Sequence, residues 1–249
     1  MSDRLTHECG LAFVRLRKPL HYYQEQYGDA AWGLRKTYLL MQKQYNRGQD
    51  GAGLGVVKFD MPAGDPFLLR IRSDKHNAIE RIFDAITEDT EELSEAITPR
   101  SEMDAKRSCR FLGEAYLGHL RYGTHSSNSM ANCHPFIRKS NVASRNIALA
   151  GNFNMTNSSE LFQRLVGYGL DPVGDNDTQV ILEKISHFLN DEHERLIKKH
   201  KNLEGRELAE TISRELNVGM FLKKAAQYWD GGPSSPQGVY GFQDRKSVV

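Results

Sequence analysis

Thiols are the strongest nucleophiles a protein carries near neutral pH, and this chain has three, Cys9, Cys109 and Cys133. Cys9 stands out by its place. A polar leader, Met1 to Glu8, ends directly before it, and Cys9 opens the apolar run Gly10-Leu11-Ala12-Phe13-Val14. If the leader is removed, Cys9 becomes the terminal residue and carries a free α-amine beside its thiol. A terminal amine can serve as the base for its own side chain. The alternative reading makes Cys9 a small buried residue at the start of a strand. Other polar groups also sit at strand ends or on glycine loops, where functional groups tend to be held. They are Arg47 in Asn46-Arg47-Gly48-Gln49-Asp50-Gly51, Arg121 in Arg121-Tyr122-Gly123-Thr124-His125, and Asn152 in Asn152-Phe153-Asn154-Met155-Thr156-Asn157. Asp177 opens a helical pattern. Singly, Arg47 and Arg121 also read as surface ion-pair partners, Asn152 as a turn residue and Asp177 as a helix cap.

The elements that must position these groups follow from the pattern. Residues 9–16 read as a buried strand, and 17–27 as a polar loop with three tyrosines. Asp29 is placed to cap a helix over 30–45, whose apolar positions Ala31, Leu34, Tyr38 and Met41 recur at helical spacing. The Asn46–Gly51 stretch breaks it. Residues 51–57 form a glycine-rich strand, a signature of close backbone approach. A short strand over 67–71 and a helix over 78–86 are expected next. The charge-dominated stretch 87–107 reads as solvated helix and loop. Strands follow at 112–122 and 146–150. Helices are expected from Ser158 or Ser159 to Tyr168, from Asp177 and Thr178 to Leu196, and from Leu208 to Trp229. Gly231 and Gly232 stop the last, and a strand begins at Gly238. This order is no regular βα alternation, so antiparallel sheets with helices packed outside fit better than a doubly wound sheet.

Composition narrows the function classes. With 33 basic and 32 acidic residues the net charge is +1, which gives no global field to gather nucleic acid or an anionic membrane. No apolar run is long enough to span a bilayer, and the N-terminus lacks a secretory signal. A cytoplasmic location is the expectation. Three cysteines without a CxxC pair suggest neither a disulfide framework nor a zinc site.

Taken together, the motifs resemble those of the class II glutamine amidotransferases. The stretches that carry the resemblance are ECG at 8–10, NRGQDGAG at 46–53, GHLRYGT at 118–124, NFNMTN at 152–157 and DTQ at 177–179, with KAAQYWDGG at 224–232. Within that family they are most similar to the amidophosphoribosyltransferases. The resemblance implies an α+β, four-layer αββα N-terminal-nucleophile hydrolase sandwich with antiparallel sheets. It also implies that residues 1–8 are a propeptide and residues 9–243 the amidotransferase domain. Cys9 then resembles the nucleophile that attacks the glutamine carboxamide. Its α-amine would accept the thiol proton and later pass it to departing ammonia. Arg47 resembles an arginine beside the terminal cysteine. Arg121 resembles the arginine that pairs with the glutamine α-carboxylate, a task that suits planar bidentate geometry. Asp177 resembles the carboxylate that holds the substrate ammonium, and Thr124 lies on the same substrate loop. Asn152 and the backbone N–H of Phe153 resemble the two oxyanion-hole donors.

Two departures from the family pattern follow. The family has Asn-Gly where this chain has Asn152-Phe153, and a bulky residue at positive φ is strained. The family's phosphoribosyltransferase domain is absent from these 249 residues, and Asp244 to Val249 resemble translated adapter sequence. The alternative for that tail is a polar loop leading into a short strand. The resemblance implies no cofactor in this chain, with Mg2+ expected only for the missing domain. Glutamine is the implied partner, and phosphoribosyl pyrophosphate only through the missing domain. No nucleic acid or membrane partner is implied. Homo-oligomers are implied for the full-length enzyme. Two other readings remain open: a hexosamine-forming class II amidotransferase, and a catalytically silent glutamine-binding or regulatory module.

Overall fold

The structure, a computed structural model, describes residues 9–91, 96–123, 129–153, 155–230, 237–243 and 247–248. Met1 to Glu8, Thr124, His125, Asn154, Gly231, Gly232, Asp244 to Lys246 and Val249 lie outside the described residues. The chain divides into two compact units, residues 1–135 and 136–249. Every described strand pairing is antiparallel, as the order of elements suggested.

The first unit holds a four-stranded sheet in the order β1-β4-β2-β3, with β1 at Gly10–Arg15, β2 at Gly51–Val57, β3 at Leu68–Ser73 and β4 at Ala115–Arg121. Helix α2 (Trp32–Lys43) packs on β1 and β4, and α3 (Ala78–Glu91) packs on β2 and β3. Leu34 and Met41 point into the core with Leu54, Tyr116 and Leu120. The stretch expected to be a polar loop is instead helix α1 (Leu20–Tyr27). Pro19 precedes it and Gly28, at φ 67, closes it. Leu20 and Tyr23 are buried, and the Tyr23 ring lies 5.3 Å from that of Trp32. Aromatic packing, which polarity counting does not see, stabilises this helix.

A second correction concerns the charged stretch. Helix α4 (Glu102–Ser108) carries Lys106, which is 3% exposed and pairs with the equally buried Glu114 at 2.7 Å. Lys106 also donates to the Phe59 carbonyl, and Glu114 accepts from Phe59 N–H at 2.7 Å. Lys58 donates to the carbonyls of Lys106 and Cys109. Burial pushes the Lys58 ammonium down to about 8. In the unfolded chain Lys58 keeps its proton into the ordinary lysine range. Above about pH 8 the unfolded state therefore binds more protons, and this site's contribution to stability rises with pH. Urea titrations at about pH 7.5 and about pH 9 should show wild type gaining stability relative to Lys58→Met. A difference that does not move with pH contradicts the assignment.

The second unit holds β5 (Phe136–Arg138), β6 (Ile147–Asn152), β7 (Gln237–Gln243) and β8 (Ser247–Val248), paired in that order. Strand β5, three residues long, carries too little pattern to have been expected. Helix α5 (Ser158–Gly167) and the long helix α6 (Asp177–Lys199) pack their apolar faces on one another, and α6 also packs on β5 and β6. Leu161, Leu165, Ile181 and Ile185 form this core with Leu149. The single helix expected over 208–229 is two, α7 (Gly205–Glu215) and α8 (Val218–Ala225). Asn217 makes the break, because its side chain accepts from Met220 N–H at 3.0 Å and caps α8. Among the described residues no helix is long and apolar enough to cross a membrane.

Candidate active site

In the first unit the chemistry-bearing residues gather at one end of the sheet. Cys9 directly precedes β1, and Gly10 stands opposite Leu120 on β4. The Cys9 Sγ accepts from Tyr122 N–H at 3.5 Å and lies 4.0 Å from the Tyr122 carbonyl. The thiol therefore sits against the residue that follows Arg121, 113 positions along the chain. Of the three cysteines, Cys9 is half-buried while Cys109 and Cys133 are buried. Burial also pushes the Cys133 thiol up, against the opposing pull of Arg121 and Arg72. Cys9 is thus the most accessible of the three thiols.

Arg121 ends β4 and is 4% exposed, which rules out the reading of a surface ion-pair partner. Arg47 is exposed and closes a single 3-10 turn after α2. The loop that follows is tied to the end of β4. Asp50 N–H donates to the Arg121 carbonyl at 3.0 Å, and its carboxylate accepts from Gly123 N–H at 2.8 Å. Gly48 lies so close to this strand end that a Cβ there would meet the Arg121 carbonyl at 2.7 Å. Gly53 passes even closer to the His134 carbonyl, where a Cβ would fall 1.8 Å away. The glycines of this motif thus do mark close backbone approach. Asp50 had no assigned role in the sequence; its position within the glycine motif was the available signal.

In the second unit, Asn152 ends β6 after a register irregularity between Ala150 and Asn152. Phe153 is not among the described non-glycine residues with positive φ, which are Asp60, Asn77 and Tyr228. The strain expected of a bulky residue in the glycine conformation is therefore absent. The Phe153 ring instead folds over Gly151, where a Cβ would meet the ring at 2.4 Å. Gly151→Ala should displace that ring at a cost of ~1–3 kcal/mol in stability. Urea titration of this variant and of Gly151→Ala/Phe153→Gly checks it. Restoration in the double variant is the expected result.

Asp177 is not the cap of α6. That role belongs to Asn176, whose side chain accepts from Gln179 N–H at 2.9 Å. Asp177 stands in the first turn, and its carboxylate accepts from Met155 N–H at 2.8 Å. It thereby holds the loop that follows Asn152 and Phe153. The later motif reaches the same loop. Asn157 donates to the Tyr228 carbonyl at 2.8 Å and accepts from Asp230 N–H at 3.2 Å, while Thr156 N–H donates to the Asp230 carbonyl at 3.0 Å. NFNMTN, DTQ and QYWD are thus one hydrogen-bonded assembly. Thr124, placed on a substrate loop by its sequence, lies outside the described residues. No group of three His, Cys, Asp or Glu side chains among the described residues is arranged to hold a metal ion.

The sequence model of the family described as glutamine amidotransferases class-II matches residues 90–223, more than half of the chain. The chain belongs to the class II glutamine amidotransferases. The matched segment of this amidotransferase contains Arg121, Asn152, Phe153 and Asp177, and stops short of Cys9 and Arg47. The amidophosphoribosyltransferase of Archaeoglobus fulgidus is 38% identical over 80 residues, which cover 32% of this chain and 17% of that protein. The glutamine–fructose-6-phosphate aminotransferase of Corynebacterium diphtheriae is 30% identical over 146 residues, 59% of this chain and 18% of that protein. Among solved structures, the glutamine phosphoribosylpyrophosphate amidotransferase of B. subtilis, complexed with ADP and GMP, matches with a TM-score of 0.50. It is 17% identical and the match covers 94% of this chain and 34% of that one. The likeness shows that the two chains share an α+β fold with antiparallel sheets. The amidotransferase chain spans about a third of that solved chain's length, and the matched stretches are under a fifth of the two curated relatives.

Proposed function

We propose that this chain hydrolyses glutamine to glutamate and ammonia, with Cys9 as the nucleophile after removal of Met1 to Glu8. The observation that carries the reading is the placement of Cys9. It is the half-exposed thiol of the three, at the head of a strand and against Tyr122, beside the strand-ending Arg121. In this mechanism the Cys9 α-amine takes the thiol proton as sulfur attacks the carboxamide carbon. The amine then returns that proton to the leaving ammonia, and water releases glutamate from the thioester. The resemblance supports Arg121 for the substrate carboxylate, Asp177 for its ammonium, Asn152 and the Phe153 N–H as donors to the oxyanion, and Arg47 and Thr124 as flanking substrate residues. The buried state of Arg121 supports its role, since a desolvated guanidinium binds a carboxylate more strongly than an exposed one.

A finer proposal is that the ammonia serves an amidophosphoribosyltransferase reaction on phosphoribosyl pyrophosphate, in purine synthesis. It includes a cytoplasmic location and homo-oligomers of the full-length protein. The 38% identity to the Archaeoglobus protein supports it. The longer matched stretch in the aminotransferase of Corynebacterium diphtheriae favours the second reading, a hexosamine-forming enzyme. The deciding experiment follows glutamate release from glutamine by protein that begins at Cys9. Release above the rate without protein is expected, and its absence overturns the proposal. In the full-length protein, stimulation by phosphoribosyl pyrophosphate supports the first acceptor and stimulation by fructose 6-phosphate the second.

A further inference from the structure

Among the described residues β1 is an edge strand, paired with β4 on one side from Gly10 onward. On the open side a side chain takes the place of a strand. The Gln44 Oε1 accepts from Leu11 N–H at 3.1 Å, and its Nε2 donates to the Leu11 carbonyl at 2.9 Å. Both backbone groups of the residue two places after Cys9 are thus satisfied by one amide. The same Nε2 donates to the Leu40 carbonyl at 3.2 Å, which fixes the amide to the helix it ends. Packing reinforces the contact, since a Cβ on Gly10 would stand 3.3 Å from Gln44 Cβ. The backbone of Gln44 serves the neighbouring motif, because its carbonyl accepts from Arg47 N–H at 2.8 Å.

We propose that Gln44 is a positioning residue for Cys9. Its amide acts as a one-residue surrogate strand that sets the height of β1 and locks it to the turn carrying Arg47. This inference rests on the reading of Cys9 as the nucleophile. Small displacements of a reacting group lower rate steeply, since alignment supplies much of the acceleration. Gln44→Ala should therefore lower kcat for glutamine hydrolysis about tenfold while KM changes less than about twofold. Deuterium exchange at Leu11 N–H should quicken, with exchange at Leu54 on the central strand unchanged.

Gln44→Glu supplies a signature that a merely structural role would lack. As a carboxylate it keeps the acceptor for Leu11 N–H and loses both donors; protonated, it regains the donor–acceptor pair. The ratio of its kcat to that of wild type should rise as pH falls toward the carboxylate range. If Gln44→Ala fails to fold, Gln44→Met keeps the aliphatic stem and makes the same comparison. A folded variant with wild-type kcat and wild-type exchange at Leu11 overturns the proposal. If wild type itself releases no glutamate, the glutaminase reading fails. Leu11 exchange and the rate of Cys9 alkylation by iodoacetamide then decide the positioning claim. Faster exchange with altered alkylation upholds it, and no change in both refutes it.

Discussion

Cys9→Ser should fold as wild type does and lose at least three orders of magnitude in glutaminase activity, because a hydroxyl is a far poorer nucleophile than a thiol beside the same amine. The structural cost is small. The Cys9 Sγ is half-buried, accepts from Tyr122 N–H at 3.5 Å and lies 4.0 Å from the Tyr122 carbonyl, contacts that a serine hydroxyl can make as well. Urea unfolding should shift by less than about 1 kcal/mol. Intact mass should show the same N-terminus in variant and wild type, so that a loss of leader removal is not mistaken for a loss of chemistry. Turnover within tenfold of wild type would sink the nucleophile assignment.

Glu114→Ala should be the most damaging single change to stability, about 3–5 kcal/mol, and lower the melting temperature by roughly 10 °C. The reason is what it leaves behind. Lys106, 3% exposed, would keep a buried ammonium without its carboxylate, and Phe59 N–H would lose its acceptor. The site joins three elements, since the Glu114 backbone also bonds Leu16 after β1 and Val57 at the end of β2. Glu114→Leu/Lys106→Met should recover most of the loss, because removing a buried pair together avoids the stranded charge. Burial pushes the Glu114 carboxyl up, against the opposing pull of Lys106. Its contribution is therefore complete below the ordinary carboxylate range and falls as pH rises through the raised value. A double variant no more stable than Glu114→Ala would contradict this account.

These cases show what a sequence exposes and what it hides. Strand β1, the Asn46–Gly51 break, strand β4 and the start of α6 were legible because each is declared locally, by an apolar run, a glycine turn or a capping residue. The fold class and family were legible because short motifs occur in the right order. Lys106 was read as part of a solvated stretch and Glu114 only as a position in the strand over 112–122, since nothing local marks a charge whose partner removes it from water. α1 was hidden because its tyrosines count as polar until Trp32 packs against them. Asn176 and Asp177 were confused because both suit a helix start, and the bonds that separate their tasks, from Gln179 N–H to Asn176 and from Met155 N–H to Asp177, are not visible locally. Phe153 was taken for a source of strain, but its backbone is not among the described positive-φ residues, and its ring lies over Gly151, two positions earlier. Gln44 gave no signal, since a side chain that substitutes for a strand is recognised only once the strand has an open edge.

The central claim is that Cys9, freed at its amine, is the nucleophile. The most direct measurement treats the purified protein with a diazoketone analogue of glutamine and maps the adduct by peptide mass. The account predicts one adduct per chain, on a peptide that begins with Cys9, and protection by glutamine. An adduct on Cys109 or Cys133, or glutamine turnover by a chain that still begins at Met1 or Ser2, would contradict it.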